Sequence, residues 1–380
     1  MYRRIILSKD LSFKERLKRL PLYYLRRRGA RIPWRKRFDQ ILGQNPAYAE
    51  PVDPSVEKAH QEYWKPFHKR INLMTLRIST NISGIADPRY VPEEIFKTDI
   101  EPTLQEMPSV EYLTNKSIYN HWHPGHVFPS SYFHHVDGEW LDKDLNRISF
   151  QDVQSIATEI EYPVVLKPNR NSYGGRNIHF PGSYDELICL VKRGKDFLVQ
   201  EKIEQHQFFN QFNSHGLNTI RVNVYRSFKN NDLHVLNMAL RMGVAGSLDN
   251  LSDGGIASMI RKNGLLNGFA LDRYGTKHFK HPDTGVRFNK QIPDYERLEE
   301  ISLKIAHKVF YSRLVALDLC YDKEGNWRAI EVNIHGNTLG FAQFHGALFF
   351  DEFTDEIRNY CTANHWIVKK SPKSHKKRHR

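Results

Sequence analysis

Between Leu314 and Asn333 two apolar runs face one another across a polar turn, with acids set inside them. Leu314-Val315-Ala316-Leu317-Asp318-Leu319 reads as a buried strand interrupted by one acid. Asp322-Lys323-Glu324-Gly325-Asn326 has turn composition, and Trp327 to Val332 reads as the returning strand. With the turn centred between Glu324 and Gly325, Asp318 stands opposite Glu331. Glu331 and Asn333 are two apart and project from one face. Facing carboxylates on a half-buried sheet repel unless a cation lies between them. A few hard oxygen donors suit magnesium shared with phosphate groups, and the same residues also suit a surface hairpin with scattered acids.

A second segment has complementary chemistry. Tyr162-Pro163-Val164-Val165-Leu166-Lys167-Pro168 is a short apolar strand ending in a lysine. Asn169-Arg170-Asn171-Ser172-Tyr173-Gly174-Gly175 follows as a donor-rich loop, and Arg176 to Phe180 reads as the strand out. Glycines let backbone N–H groups approach phosphates, and a nearby lysine adds a point charge. No Walker pattern is present, and a Gly-Gly pair alone equally marks a hairpin turn.

These segments, in this order, resemble the ATP-grasp superfamily, in particular its branch associated with sugar transfer in cell-surface polysaccharide gene sets. The matching pieces are Tyr162–Ile178, Phe197–Ile203, Leu217–Val222, Ala239–Gly243, Asp249–Gly255 and Asp318–Asn333, with Asp87–Phe96 similar to an upstream block. The resemblance spans roughly residues 85 to 360. It implies an α+β fold of ATP-grasp type, two lobes clamping ATP and Mg2+ between antiparallel sheets, with a basic helical N-terminal extension. It implies that Lys116 and Lys167 hold the nucleotide phosphates, and that Ser172, Gly174 and Gly175 form a lid over them. Gln200, Glu201 and Ile203 then lie in a hinge reading adenine through backbone groups, with Glu204 either at the ribose or simply opening a surface loop. Arg221 and Arg241, together with Lys167, act catalytically on the transferred phosphoryl group. Asp318, Glu331 and Asn333 ligate magnesium. Asn218, Asn250, Ser252, Gly254 and Gly255 line the substrate side, although Asn250 and Ser252 suit a turn cap equally well. Arg170 and Tyr173 are bulky for a phosphate lid, which weakens the role of Ser172 relative to Lys167.

The implied reaction is ATP-dependent carboxylate–amine ligation through an acyl phosphate, with a small-molecule or glycan carboxylate and an amine as substrates. Phosphoryl transfer depends mainly on positioning and charge neutralisation, which this residue set can supply. Two other classes stay open: a kinase of a sugar or polyol hydroxyl, and a non-catalytic membrane-associated scaffold.

Charge is unevenly distributed. The chain carries +13 overall; residues 1–40 contribute +11 and residues 369–380 contribute +7, which leaves the body between them at −5. A basic balance confined to the ends weighs against a nucleic-acid partner, which wants a basic stripe on a folded face. In the first 40 residues Phe13, Leu17, Leu20 and Tyr24 fall at helical spacing among Lys14, Arg16, Lys18 and Arg19, with Pro21 a point of interruption or kinking. This pattern fits a helix lying on an anionic membrane, or one docked on the protein's own body. The expected organisation is a basic amphipathic segment over 1–40, a linker and helical region over 41–105, an ATP-grasp domain over 106–362 and a basic, disordered tail over 363–380. Within the domain a smaller nucleotide lobe covers about 150–205 and a larger metal and substrate lobe about 206–362.

The apolar run in Met1–Leu7 is too short for a secretory signal, and no stretch of about 18 apolar residues suggests a spanning helix. The three distant cysteines, Cys189, Cys320 and Cys361, read as reduced core residues. The expected location is cytoplasmic, with a peripheral site on the inner face of the cytoplasmic membrane. Elsewhere, Val56–Leu76 has helical spacing with Ser55 as a cap, Ser183-x-x-Glu186 predicts a capping box, and Pro293–Tyr311 predicts a long helix. His121, His123 and His126 lack an acid or cysteine at ligand spacing and read as a neutral histidine loop rather than a zinc site.

Overall fold

The computed structural model describes residues 1–105, 107–170, 177–246 and 254–369. The tail from Lys370 onward, the lid residues Ser172, Gly174 and Gly175, and Asn250 and Ser252 lie outside the described residues. Two units emerge, one from Met1–Glu106, Ser227–Asn231 and Thr338–Arg380, the other from Met107–Arg226 and Asp232–Asn337.

The first unit is helical. Helix α1 (Tyr2–Leu7) precedes α2 (Phe13–Gln44), a 32-residue helix opened by a full capping box between Ser12 and Glu15. Pro21 does not interrupt α2; both it and Pro33 lie inside the continuous helix. Tertiary packing overrides their local penalty, because Tyr23, Trp34, Phe38 and Ile41 are buried in the unit. Where one helix was expected over 56–76 there are two, α3 (Pro54–Trp64) and α4 (Met74–Ser83). Pro66 supplies no N–H and disfavours helical geometry in the residue before it, so α3 stops at Trp64. The cap of α3 is Asp53, which accepts from the Ser55 N–H; Ser55 itself is not the cap.

A polar cluster ties this unit together. The fully buried Asp99 accepts a hydrogen bond from the Tyr23 hydroxyl at 2.7 Å. His365 and His68 each bring Nε2 within 2.8 Å of one of its carboxylate oxygens. Burial alone would raise the Asp99 carboxyl, but the hydrogen bonds from His365 and His68 hold it well below the usual carboxylate range.

The second unit holds two antiparallel sheets. Strands β1 (Ser131–Val136), β2 (Glu139–Asp142), β3 (Val164–Pro168) and β4 (Phe197–Glu201) form the smaller sheet in the order β2-β1-β4-β3. Helices α5 (Phe150–Glu159) and α6 (Tyr184–Arg193) cover one face through Val153, Ala157, Leu187 and Val191. The capping box at α6 is half formed: Ser183 accepts from the Glu186 N–H, while the Glu186 carboxylate accepts from Gly182 instead. Cys189 is exposed on α6, on the side away from Leu187 and Val191, and is not a core residue; Cys320 and Cys361 are buried, and all three are free.

The larger sheet contains β5 (Thr219–Arg226), β6 (Leu233–Met242), β7 (Ile256–Ile260), β8 (Ala270–Leu271), β9 (Lys277–His278), β10 (Leu314–Tyr321) and β11 (Trp327–Asn333). Its order is β11-β10-β5-β6-β7-β8-β9. Helix α7 (Tyr295–His307), shorter at both ends than expected, packs Leu298 and Ile305 into the core shared with Val222, Leu240, Leu317 and Trp327. With its helices and antiparallel sheets the chain is α+β, as expected. No helix among the described residues is long and apolar enough to cross a membrane.

The β10–β11 hairpin pairs Asp318 with Glu331, as read from the sequence, but by a different route. The pairs Tyr321↔Trp327, Cys320↔Arg328 and Leu319↔Ala329 centre the turn on Glu324, with Gly325 at φ +81°. That register alone would set Asp318 opposite Ile330. A bulge at Ile330 inserts one residue, so pairing resumes as Asp318↔Glu331. It also reverses side-chain parity: Trp327 and Ala329 lie in the core before it, Val332 and Ile334 after it. Without the bulge Glu331 and Asn333 would point into that core.

Two outcomes test this account. Asp99→Ala should lose about 3–5 kcal/mol of stability by urea denaturation near neutral pH. Because the folded carboxyl is depressed, the gap should narrow as pH falls through its folded value. Deleting Ile330 should remove the bulge and join Ala329 to Glu331, which keeps Glu331 opposite Asp318 on the face away from Trp327, so the urea midpoint should change little; a loss of about 3 kcal/mol or more would mean that Glu331 has turned toward the core.

Candidate functional site

The bulge delivers a row of charge across the large sheet. Register sets Glu331 beside Asp318 and Asp318 beside Arg221, while Arg241 stands opposite Thr219 one pleat along. Asp318 is buried and receives a two-pronged bond from Arg221, through Nε to Oδ1 and through Nη2 to Oδ2 at 2.9 Å. Arg241 Nη2 lies 3.3 Å from the same Oδ2, and the Asn333 amide donates to it at 3.2 Å. Arg241 is aimed by Thr219, whose hydroxyl oxygen accepts from Nε at 3.0 Å and from Nη2 at 2.6 Å. Burial by itself would raise the Asp318 carboxyl; Arg221 and then Arg241 outweigh it and hold the group below its ordinary value.

Two lysines complete the charge. Lys116 is buried and pairs with Glu331, Nζ to Oε1 at 2.9 Å. Lys167 is buried at the end of β3. The two segments are tied together: the Lys116 N–H donates to the Asn169 carbonyl at 3.1 Å, and both the N–H and hydroxyl of Ser117 donate to Asn169 Oδ1 at 2.9 Å. Burial first and Lys116 second push the Lys167 ammonium down to about 7.

The expected hinge joins the two sheets. Gln200 is buried on β4, and Ile203 is buried just beyond it. Glu201 accepts from the Ser130 N–H at 2.8 Å and from Arg328 Nη2 at 2.6 Å. Glu204 is exposed and pairs with Lys323 at 2.8 Å. Asn218 is buried, and its amide nitrogen donates to Gln205, Phe209 and Asn213. Gly254, at φ +103°, and Gly255 lead into β7, whose Ala257 pairs with Arg241.

Two polar residues of this region are given no part in the site by the sequence reading. Arg328 projects from the face opposite Trp327 and bridges Glu201 to Asp322, the latter at 3.4 Å. Its direction could not be told without the bulge. His134 occupies the cross-strand row Lys167–Leu198–His134, and its buried ring has no hydrogen-bond partner at either nitrogen among the described residues. Its signal was the alternation with the buried Phe133. Desolvation lowers the His134 pKa to about 4 and that of His123 to about 4, so both rings are neutral at physiological pH. No group of three or more His, Cys, Asp or Glu suited to a metal is found among the described residues.

The arrangement sets four cations, Lys116, Lys167, Arg221 and Arg241, against two carboxylates, Asp318 and Glu331. A buried cationic surplus is unfavourable until an anion joins it. Asp318, Glu331 and Asn333 supply the hard oxygen donors that magnesium takes, and the pairs with Arg221 and Lys116 neutralise those carboxylates without it.

Residues 184–354 match the model of a family described as sugar-transfer associated ATP-grasp. The match is narrower than the span expected from sequence and covers under half of the chain; Lys116 and Lys167 precede it. No curated protein matches in sequence. Similar solved structures include the biotin carboxylase domain of Hydrogenobacter thermophilus 2-oxoglutarate carboxylase with MgADP, ADP and bicarbonate, at 15% identity and TM-score 0.42, over 71% of this chain and 49% of that one. Another is N5-carboxyaminoimidazole synthase from Aspergillus clavatus with ADP and 5-aminoimidazole ribonucleotide, at 10% identity and TM-score 0.40, over 66% and 54%. A third is the L-amino acid ligase from Bacillus licheniformis, at 16% identity and TM-score 0.34, over 60% and 42%. This chain thus spans about half the length of these proteins. Gln200 to Ile203, both arginines and the Asp318–Asn333 hairpin lie within the stretch that matches the model of the sugar-transfer associated ATP-grasp family.

Proposed function

We propose that the second unit binds ATP with magnesium and uses it to activate a carboxylate for transfer to an amine. The observation that carries this reading is the surplus of buried cations around Asp318 and Glu331, which calls for a multiply charged anion. The family match over residues 184–354 supports a nucleoside triphosphate as that anion.

In this reading Lys116 and Lys167 neutralise the phosphates, and the chain from Gln200 to Ile203 holds the base through backbone groups. Asp318, Glu331 and Asn333 would hold magnesium, which would offset the charge of the phosphates. With those carboxylates engaged, Arg221, Arg241 and Lys116 exchange their acidic partners for the transferred phosphoryl group. An oxygen of the substrate carboxylate attacks the γ-phosphorus, the bond to the β-phosphate oxygen breaks, and ADP leaves. The amine nitrogen then attacks the acyl carbon; phosphate departs with the bonding pair, and the nitrogen loses a proton. A role in building or decorating a cell-surface glycan rests on the family's association with sugar transfer.

Calorimetric titration with a non-hydrolysable ATP analogue should reveal binding that requires magnesium. Lys167→Ala and Glu331→Ala should each weaken it by about tenfold or more. No binding by folded wild-type protein would remove the reading. Bound phosphates favour the charged Lys167, whose value without ligand is near 7. Titrations in buffers of different ionisation heat should therefore detect uptake approaching one proton per nucleotide above pH 7, and little below it. Carboxylate-dependent ADP release, with a hydroxamate forming when hydroxylamine is present, would establish the acyl phosphate; a sugar phosphate in its place would make the protein a kinase.

A further inference from the structure

Helix α2 has two apolar sets, and the protein covers one of them. Tyr23, Trp34, Phe38 and Ile41 are buried within the first unit. Phe13, Leu17, Tyr24, Leu25 and Ile32 are between 53% and 75% exposed. At 3.6 residues per turn these five fall within an arc of about 120°, beside the buried set but not overlapping it. Such residues are a liability in water unless something apolar covers them.

The same arc is cationic. Arg28 lies within it, and Lys14 and Arg35 are exposed on it. Next to Tyr24 a groove of about 310 Å³ is lined by Tyr2, Tyr24, Arg27, Arg28 and Arg31. Among the described residues Glu94 is the acid paired there, 2.5 Å from Arg27 Nε and 3.6 Å from Arg31 Nε. Three guanidiniums against one carboxylate, with two phenols at the rim, form a receptor for a phosphate group.

A tertiary contact brings the C-terminal segment to the same helix, on the side away from the exposed arc. Ile367 packs with Ile5, Leu11 and Tyr23. Arg19 donates to the carbonyls of Ile367 at 2.7 Å and Lys369 at 2.8 Å. Lys369 thus lies beside Arg19, and the sequence from Lys369 to Arg380 carries seven lysines and arginines.

We propose that the outward face of α2 is a docking surface for an anionic phospholipid membrane, with the Tyr2–Arg31 groove taking a lipid phosphate. The exposed leucines, isoleucine and phenylalanine enter the headgroup boundary, and the surrounding lysines and arginines face the anionic surface. A second copy of the chain meeting it through the same face would bring like charge. A nucleic acid would leave the aliphatic side chains uncovered. This surface belongs to the first unit and does not depend on the nucleotide reading.

The test is flotation of the full chain with vesicles of phosphatidylcholine alone and of phosphatidylcholine mixed with phosphatidylglycerol. Two surface variants accompany it, Leu17→Ser/Leu25→Ser/Ile32→Ser and Lys14→Gln/Arg28→Gln, with circular dichroism and melting temperature confirming the fold. Wild type should float with the mixed vesicles and not with the neutral ones. Each variant should lower the bound fraction by about tenfold, and raised salt should weaken wild-type binding. Failure of wild type to float, equal flotation with neutral vesicles, or flotation unchanged in both variants would overturn the proposal. So would binding to an RNA fragment or to inorganic phosphate in the absence of vesicle binding.

Discussion

Asp318 is the group on which the second unit's site depends. A carboxylate on the central part of a sheet, fully covered by protein, is tolerated only with strong compensation. It receives that from Arg221 on the neighbouring strand and from Arg241 one strand further. Those arginines are in turn fixed, one by the cross-strand register and the other by Thr219. Positions on β5, β6, β10 and β11 are therefore coupled through one buried anion. Removing either arginine leaves a charge without its partner in a place that water does not reach.

The two sheets of this unit are joined by polar contacts that converge on the same region. Arg328 links the hairpin to Glu201 at the end of the small sheet's β4. Asn169, just past β3, holds the segment that carries Lys116. These contacts bring Lys116 to Glu331 and keep the cationic surplus in one place. Burial, and then Lys116 beside it, push the Lys167 ammonium down to about 7, so an anion entering here would favour its charged form.

Much of this was legible in the residues. The alternation around Asp318, the turn at Gly325 and the two-residue spacing of Glu331 and Asn333 announced the hairpin and its facing acids. The strands bearing Arg221 and Arg241 were recognisable by their apolar neighbours. Misreadings came where a local signal met a competing one. Trp64, Phe67, Ile71 and Leu76 keep helical spacing across Pro66, yet the proline ends α3. Pro21 resembles a break, yet burial of Tyr23 and Trp34 holds α2 intact through it. Cys189 resembles a core residue by type, but one helical step turns it to solvent.

By itself the sequence determined which strands could form, which carried charge and where turns would fall, because those follow from period, side-chain type and glycine. Only the tertiary structure decided where the charges point. The bulge at Ile330 is invisible in composition, since an inserted residue looks like any other strand residue. It nevertheless sets the face of Glu331 and Asn333 and the relation of Arg328 to them. The division of α2 into a covered and an uncovered apolar face was equally beyond the sequence. Both sets are apolar at helical spacing, and only the docking of the helix distinguishes the residues that found partners from those left in water.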